Sequence, residues 1–334
     1  MEKKYVTKVM SLFLAVALVM TMAGGVFAAP AKGSIVINYT TWASDGEAAY
    51  EGMKQFKNLM EKGSNGVITV KLFPSNQAGT TDEQFEQVAM GTMQMMSSGV
   101  PGSDKLDLLA LPYLIGNLNQ FAKVLNSPLV KGWNKEIADK TGVMNIDILP
   151  RNPRIISCNK AINKPTDMKG LKIRTPQEEY YTETFKAFGA TPTVMDIGEV
   201  YSAIKTGVVS GQENPIETIV SYGFQNICKY LIVTNHISKP AYVAINVKFF
   251  DNLTPQYQKL LLKSCADSRK FAEKYAAQKM GSYYKACKDA GMTIIKPDLE
   301  PFKKVTQPVR DKLGVKAWGA DGYKQILAVI AKSK

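Results

Sequence analysis

Histidine is almost absent from this sequence, and so are several motifs that identify enzymes. The 334 residues include one histidine, His236, and the surrounding text "TNHIS" contains no other catalytic feature. A nucleophile activated by histidine would have to use this residue as its base. The chain also lacks a G-x-S-x-G elbow, a G-x-x-x-x-G-K-[ST] loop and a G-x-G-x-x-G fingerprint. We therefore expect His236 to be a structural hydrogen-bonding residue, and we expect neither catalysis nor a cofactor.

Long apolar runs are absent after the N-terminus, where the segment "VMSLFLAVALVM" follows three lysines. This run is shorter than the roughly 20 residues that span a bilayer. Val26 and Ala28 fit an A-x-A-like cleavage site before Ala29. No cysteine follows the run directly, which argues against a lipid anchor. We predict that residues 1–28 are a signal peptide and that the mature protein is exported in soluble form.

Cysteine is scarce, with four residues in positions that match no metal motif. They have no C-x-x-C spacing and no neighbouring histidine cluster, so a zinc site, or any metal site, is not expected. Disulfides could form after export, but spacing cannot assign them. Buried thiols are an equally good interpretation for Cys265 and Cys287, which occupy apolar positions of a helical pattern.

The positive charge of the chain is dispersed. The formal net charge is +13, yet the lysines are scattered and are not interleaved with stacking aromatic residues. Nucleic-acid binding is therefore not expected. A basic surface of this kind attracts anionic solutes.

The order of predicted elements indicates an α/β protein. "SIVINYTTWAS" and "VITVKLFP" read as strands, and each is followed by a helical pattern, which predicts a parallel sheet with crossover helices. The same alternation returns further along the chain. Thr254 as N-cap and Pro255 in the first turn then begin a long helix. Two α/β lobes joined by several crossings of the chain account for this pattern.

The segment "GLKIRTP" places Arg174 in a short predicted strand that Pro176 ends. A strand end faces a loop or a cleft, where a guanidinium can offer two donors to a carboxylate. The alternative is a structural ion pair with Glu178 or Glu179. The residues alone leave both interpretations open.

Several segments in the second half of the chain resemble the extracytoplasmic solute receptors of TRAP transporters. They occur in the same order and spacing as in that family, and a weaker match extends over most of the mature chain. These segments are "KPTDMKGLKIRTP", "FKAFGATPTVMDIGEVYSAIKTGVVSGQENPIETI", "KYLIVTNH" and, near the N-terminus, "LFPSNQAGTTDEQFEQVAMGTMQMM".

The resemblance implies a two-lobed, periplasmic-binding-protein (Venus-flytrap) fold. Each lobe would be a mixed sheet flanked by helices, with a long helix in the C-terminal part. We expect residues 29–151 and about 240–279 to form lobe I, and residues 152–239 and about 280–334 to form lobe II.

The implied function is capture of a small organic acid in the periplasm and its delivery to a sodium-driven TRAP permease. We also expect a monomer. Two alternatives stay open: a receptor of the same fold that serves a sensor kinase, and an exported enzyme acting on organic acids.

The resemblance also implies three ligand-binding residues. Arg174 would clamp the ligand carboxylate, Arg154 in "NPRIIS" would be a second arginine, and Asn214 in "GQENP" would read a further oxygen. One departure is that Ser210 stands where the family usually has an aspartate before "GQENP". We expect it to change local hydrogen bonding and to leave the clamp intact.

Further candidates follow from their positions near strand ends, which face ligands in open α/β sheets. Trp42 and Asp45 follow the first strand, and Ser98 ends the "MQMMSSG" segment with Ser97 beside it. Glu217 lies shortly after Asn214 and could accept from a hydroxyl or an ammonium group. Each of these is equally well explained as ordinary loop structure.

Overall fold

A computed structural model describes residues 31–99 and 104–333 of the chain. The predicted signal peptide and its cleavage site lie outside the described residues. In the part that is described, no helix combines the length and the apolarity that crossing a membrane requires.

The elements alternate between strands and helices, as the sequence predicts. The strands are β1 (Ile35–Thr41), β2 (Ile68–Phe73), β3 (Met95–Ser98), β4 (Val143–Leu149), β5 (Arg154–Cys158), β6 (Lys172–Thr175), β7 (Thr191–Val194), β8 (Gly211–Asn214), β9 (Tyr230–Ile237), β10 (Ala241–Asn246) and β11 (Thr293–Ile295). The helices are α1 (Ala48–Gly63), α2 (Thr81–Met90), α3 (Asp104–Asp107), α4 (Leu118–Leu125), α5 (Pro128–Thr141), α6 (Glu179–Ala187), α7 (Ile197–Lys205), α8 (Ile216–Ser221), α9 (Val247–Asp251), α10 (Pro255–Asp289) and α11 (Glu300–Lys332). Single 3₁₀ turns occur at Leu108–Ala110, Pro165–Met168 and Phe224–Asn226.

Two mixed sheets form the centres of two lobes. The first sheet has the order β2-β1-β3-β10-β4, and the second has the order β11-β9-β5-β8-β6-β7. β1 pairs in parallel with β2 and β3, as crossover helices require, whereas β10 is antiparallel to β3 and β4. In the second sheet β6 is parallel to β7 and β8, and β5 is antiparallel to β8 and β9. The predicted two-lobed α/β fold is confirmed.

Local signals explain where the main helices begin. Thr80 and Glu83 form a reciprocal capping box at the start of α2, and Gly91 ends this helix in the left-handed region with φ 82°. Thr254 caps α10 through its hydroxyl, and Pro255 occupies the first turn, where its missing N–H is not needed. The predicted long helix therefore starts where the sequence indicates.

The two longest helices connect the lobes. α10 is one helix of 35 residues that contacts α1 and β4 on one side of the molecule and α8 on the other. The predicted boundary near residue 279 falls inside it. α11 packs on α6 and also on α3 and α4, with a break at Gly319, where φ is 69°. The assignment of chain segments to lobes stays a prediction.

A core of aromatic and aliphatic side chains lies where α11 meets the first-sheet helices. Trp133 of α5 stacks on Trp318 of α11 with ring centroids 5.8 Å apart, and Tyr323 stacks on the other side of Trp318 at 6.0 Å. The left-handed backbone of Gly319 redirects the helix between these two aromatic residues. The sequence pattern indicates a shorter helix over "KQILAVIAKS" at the C-terminus, whereas the helix in the structure begins at Glu300.

The cysteines are buried thiols, which is the second of the two interpretations that the sequence leaves open. All four, Cys158, Cys228, Cys265 and Cys287, are buried free thiols. Burial raises the pKa of the Cys158 and Cys287 thiols to about 11, so both are protonated at neutral pH.

Glycine substitutions provide a test of the sheet packing. A Cβ on Gly211 of β8 would overlap Cys158 and the Ser157 carbonyl oxygen of β5. We expect Gly211→Ala to lower the free energy of unfolding by about 1–3 kcal/mol, as overpacking does. Gly132 in α5 has nothing near the added atom, so Gly132→Ala should stabilise by about 0.5–1 kcal/mol. Denaturant unfolding of both variants checks this, and equal midpoints would contradict the packing.

Candidate ligand-binding site

A cleft of about 840 Å³ lies between the two sheets. Its walls come from the ends of strands in both lobes, the position where open α/β sheets bind ligands. Five of the predicted site residues line it: Trp42, Ser98, Arg154, Arg174 and Asn214. The structure thus brings together residues that are up to 172 positions apart in the chain, from Trp42 to Asn214.

Arg174 is fixed by a backbone carbonyl. Its side chain lies near the end of β6 and is 5% exposed. Nε and Nη2 donate hydrogen bonds to the carbonyl oxygen of Met195 at 2.9 and 2.8 Å. Nη1 has no partner among the described residues. The guanidinium therefore keeps its Nη1–Nη2 edge available while its position is set by the other edge.

Among the described residues, Arg174 does not form the alternative structural ion pair with Glu178 or Glu179. Glu179 pairs with Lys316 of α11 at 2.6 Å, and Glu178 lies 3.8 Å from Lys239. Burial lowers the pKa of Arg174, and the nearby Glu213 opposes this effect without contacting it. The charge of Arg174 is thus not neutralised by a direct carboxylate contact.

Arg154, by contrast, is paired. It is 3% exposed, and its Nε and Nη2 donate to the two carboxylate oxygens of Glu213, with Nη2–Oε1 at 2.6 Å. Nη2 also donates to the Glu213 carbonyl oxygen at 2.9 Å. The Tyr181 ring lies 4.7 Å from the guanidinium carbon. Arg154 contributes to the cleft wall mainly as one half of this ion pair.

His236 completes the same cluster. Its Nε2 lies 3.1 Å from Glu213 Oε2, and its Nδ1 lies 2.8 Å from the Thr234 hydroxyl. Burial lowers the pKa of His236, which favours the neutral imidazole. Burial also raises the pKa of Glu213, but Arg154 and His236 outweigh it and bring that pKa to about 2. The imidazole therefore donates from Nε2 to the Glu213 carboxylate and accepts from Thr234, a structural hydrogen-bonding role.

Asn214 is held by a chain of side-chain amides. Its Nδ2 donates to Gln212 Oε1 at 2.6 Å, and Gln212 Nε2 donates to Ser157 Oγ at 2.7 Å. Asn214 is buried and ends β8 next to Glu213. Its Oδ1 has no partner among the described residues. This oxygen can accept a hydrogen bond from a group in the cleft.

Two predicted residues do not line the cleft. Asp45 is exposed, with 83% of its side chain accessible, and pairs with Lys54 at 2.5 Å. Glu217 is buried but turns to Asn152, whose backbone N–H and side-chain Nδ2 donate to its two carboxylate oxygens at 3.0 and 2.8 Å. Glu217 thus holds the crossing between β4 and β5. Ser97, next to Ser98, is also outside the lining.

Nine charged residues of the cleft wall were not among the predicted site residues, and Arg151, Glu47 and Lys239 are three of them. Arg151 lies on the β4–β5 crossing with its guanidinium 3.9 Å from the Trp42 ring centroid. Glu47 precedes α1, and Lys239 precedes β10 and pairs with Asp107 at 2.5 Å. The motif "RNPR" does contain Arg151 three residues before Arg154, so this residue had a sequence signal; Glu47 and Lys239 had none.

In residues 31–99 and 104–333, no group of three or more histidine, cysteine, aspartate or glutamate side chains is arranged to hold a metal ion. The chemistry of the cleft lining is that of hydrogen bonding and charge pairing. Arginine, lysine, aspartate, glutamate, asparagine and tryptophan side chains supply it.

Comparison with known proteins identifies the family of the chain. The family model described as bacterial extracellular solute-binding protein, family 7, matches residues 39–316. The sialic acid-binding periplasmic protein SiaP of Vibrio cholerae is 27% identical over 292 residues, which cover 84% of this chain and 89% of SiaP. The C4-dicarboxylate-binding periplasmic protein DctP of Rhodobacter capsulatus is 27% identical over 307 residues, 89% of this chain and 92% of DctP.

Solved structures give the same result. A TRAP periplasmic solute-binding protein of Actinobacillus succinogenes with bound L-galactonate superposes with a TM-score of 0.81 at 26% identity, covering 89% of this chain and 99% of that chain. One from Fusobacterium nucleatum with bound sn-glycerol-3-phosphate gives 0.81 at 26% identity, covering 90% and 98%. The chain therefore belongs to bacterial extracellular solute-binding protein family 7, the solute receptors of TRAP transporters.

Proposed function

We propose that this protein is an exported receptor that binds a small organic acid through Arg174 and delivers it to a sodium-driven TRAP permease. Arg174 carries the proposal, because it is a buried arginine in the cleft without a carboxylate partner among the described residues. A guanidinium edge matches a carboxylate with two parallel hydrogen bonds. A ligand carboxylate would supply the missing counter-charge.

The family relatives support an acidic ligand. Sialic acid, C4-dicarboxylates and L-galactonate, which the relatives named above bind, all carry a carboxylate, and sn-glycerol-3-phosphate carries a phosphate. Each is an anion that an arginine can clamp. We infer that Asn214 and Arg154 lie beside the clamped group and that Trp42 and Ser98 face the remainder of the ligand.

Export and assembly follow from the same proposal. Residues 1–28 have the composition of a signal peptide, which would deliver the mature chain to the periplasm as a soluble monomer without a lipid anchor. Residues 29–151 with about 240–279 would move against residues 152–239 with about 280–334. The membrane subunits of a TRAP permease would receive the loaded form.

Replacement of Arg174 tests the clamp. Arg174→Ala should weaken binding of an organic acid by about 30-fold to several thousand-fold, since truncating one member of a buried charge pair costs about 2–5 kcal/mol. Arg174→Lys should recover part of the affinity, because an ammonium keeps the charge but lacks the planar edge. Isothermal titration calorimetry with the acid that most raises the melting temperature in a carboxylate screen measures this.

Arg310 provides the matched control. It is half-buried on α11, lies away from the cleft, and donates from Nη1 to the carbonyl oxygen of Pro112 at 2.9 Å. Arg174→Ala and Arg310→Ala both remove donors from a backbone carbonyl, so both should lower the melting temperature of the unliganded protein. Affinity should fall for Arg174→Ala alone. If Arg174→Ala binds as tightly as the parent, the clamp is wrong.

Ligand binding should also draw the lobes together. A ligand that touches Arg174 on one wall and Trp42 on the other favours the closed state by its additional contacts there. We expect the radius of gyration from small-angle X-ray scattering to decrease at saturating ligand. Arg174→Ala at the same ligand concentration should keep the larger value, and an unchanged profile for the saturated parent would argue against hinge closure.

A further inference from the structure

Glu47 is a buried carboxylate in the cleft that forms no ion pair with the described residues and uses only part of its hydrogen-bonding capacity. It stands at the N-cap position of α1 but makes no capping hydrogen bond to that helix. It is 3% exposed and lines the cleft. Its Oε2 has no hydrogen-bond partner, and its Oε1 receives a long bond of 3.4 Å from Ser221. Leaving a buried acceptor without a donor costs free energy, so we expect a bound group to donate a hydrogen bond to Glu47 Oε2.

The neighbouring charged groups do not satisfy Glu47. Arg151 is held elsewhere, by its stacking on Trp42 and by a 3.5 Å contact from Nη2 to Thr218, and forms no ion pair with Glu47. Glu217 is occupied by Asn152. Arg151 also lacks one hydrogen-bond partner, since its buried Nε has no acceptor. One unpaired acceptor and one unpaired donor therefore lie in the same wall of the cleft.

The chemistry of these two groups selects among possible ligands. A hydroxyl group can donate to Glu47 and accept from Arg151 at the same time. A second carboxylate would satisfy Arg151 but repel the Glu47 carboxylate, and an ammonium group would satisfy Glu47 but repel Arg151. A hydroxyl is the group that suits both.

We propose that Glu47 is a specificity residue that accepts a hydrogen bond from a ligand hydroxyl, with Arg151 donating to the same part of the ligand. This rests on the proposed function, in which Arg174 holds the carboxylate from the opposite wall. The ligand class is then a hydroxylated monocarboxylate of the sugar-acid type. A dicarboxylate is disfavoured wherever Glu47 is ionised, because its second charge would then lie against that carboxylate.

The ionisation of Glu47 supplies an independent signature. Burial raises its pKa to about 7, with Arg151 opposing the shift. The groups that face it are Arg151 from the β4–β5 crossing, Glu217 from α8, Tyr222 after α8 and Tyr283 from α10. Burial raises the pKa of both tyrosines, so they stay neutral near pH 7. A hydroxyl donor stabilises the ionised carboxylate, so its binding should release up to about half a proton per ligand at pH 7 and should strengthen by up to about tenfold from pH 6 to pH 8.

Three six-carbon acids test the specificity. D-gluconate has one carboxylate and hydroxyls, adipate has two carboxylates, and hexanoate has one carboxylate and no hydroxyl; D-erythronate, succinate and butyrate form the same set at four carbons. At pH 8, where Glu47 is ionised, we expect the parent to bind the hydroxylated acid of at least one set about tenfold or more tightly than its dicarboxylate. Glu47→Gln keeps the size of the side chain but removes its charge, and should reduce that ratio by about tenfold.

Glu51 is the matched control, because it lies in the first turn of the same helix, pairs with Lys54 and does not line the cleft. Glu51→Gln should leave the ratio unchanged. Calorimetry at pH 7 in phosphate and in Tris buffer counts the released proton, which should be lost in Glu47→Gln. Thermal melting verifies that each variant is folded, and Glu47→Ala serves as a second variant.

The outcomes separate the two proposals. If Arg174→Ala abolishes binding but Glu47→Gln leaves both the ratio and the proton release intact, the role of Glu47 is wrong and the receptor function stands. A parent that prefers the dicarboxylates in both sets also overturns it. If none of the six acids binds the parent, the organic-acid function fails and the role of Glu47 fails with it.

Discussion

Arg154 and Glu213 face each other at the base of the cleft with almost no exposure to solvent, and three strands meet at this ion pair. Arg154 begins β5, Glu213 lies in β8, and His236 near the end of β9 donates to the same carboxylate. Burying such charges is costly unless the geometry is good and the remaining polar atoms are bonded. Both conditions hold, since two donors of Arg154 and one of His236 reach the two oxygens of Glu213. The strands that carry the site are thereby held in one arrangement.

The same pair decides which arginine is available to an anion. Arg154 and Arg174 each use the Nε–Nη2 edge for a protein contact, which fixes the direction of the guanidinium. The acceptors differ, because Arg154 meets a carboxylate and Arg174 meets a carbonyl oxygen. A carbonyl orients a guanidinium without neutralising it. Of these two arginines, Arg174 is therefore the one whose charge no carboxylate contacts, although both are buried and both line the wall.

The sequence predicted the architecture well because alternation and caps are local signals. Thr254 with Pro255 placed the start of α10 correctly, and the strand–helix order predicted the parallel pairs of the first sheet. The sequence did not predict the full length of α11, because Pro308 and Gly319 interrupt its helical pattern. Tertiary packing of Trp318 against Tyr323 stabilises the helix where the local pattern does not.

For the site, motifs identified residues better than position along a strand did. Arg174 and Asn214 were predicted from the motifs "KIRTP" and "GQENP", and both line the cleft. Asp45 was predicted only from its place after a strand, and it is exposed to solvent. Glu217 lies only three residues after Asn214, yet its side chain binds Asn152 and does not face the cleft. Closeness in sequence to a site residue was therefore not enough to identify another one. Glu47 had no local signal, since burial and the lack of a partner are properties of the folded chain.

The crossing between β4 and β5 combines two roles. It is one of the segments that join the lobes, and Glu217 fixes it through two hydrogen bonds to Asn152. The residue before Asn152 is Arg151, which lies on the cleft wall against Trp42 of the first lobe. A ligand group that draws Arg151 toward it, as we propose, would therefore act directly on the segment about which the lobes would rotate. The proposed recognition by Glu47 and Arg151 would then couple ligand binding at this wall to the relative position of the lobes.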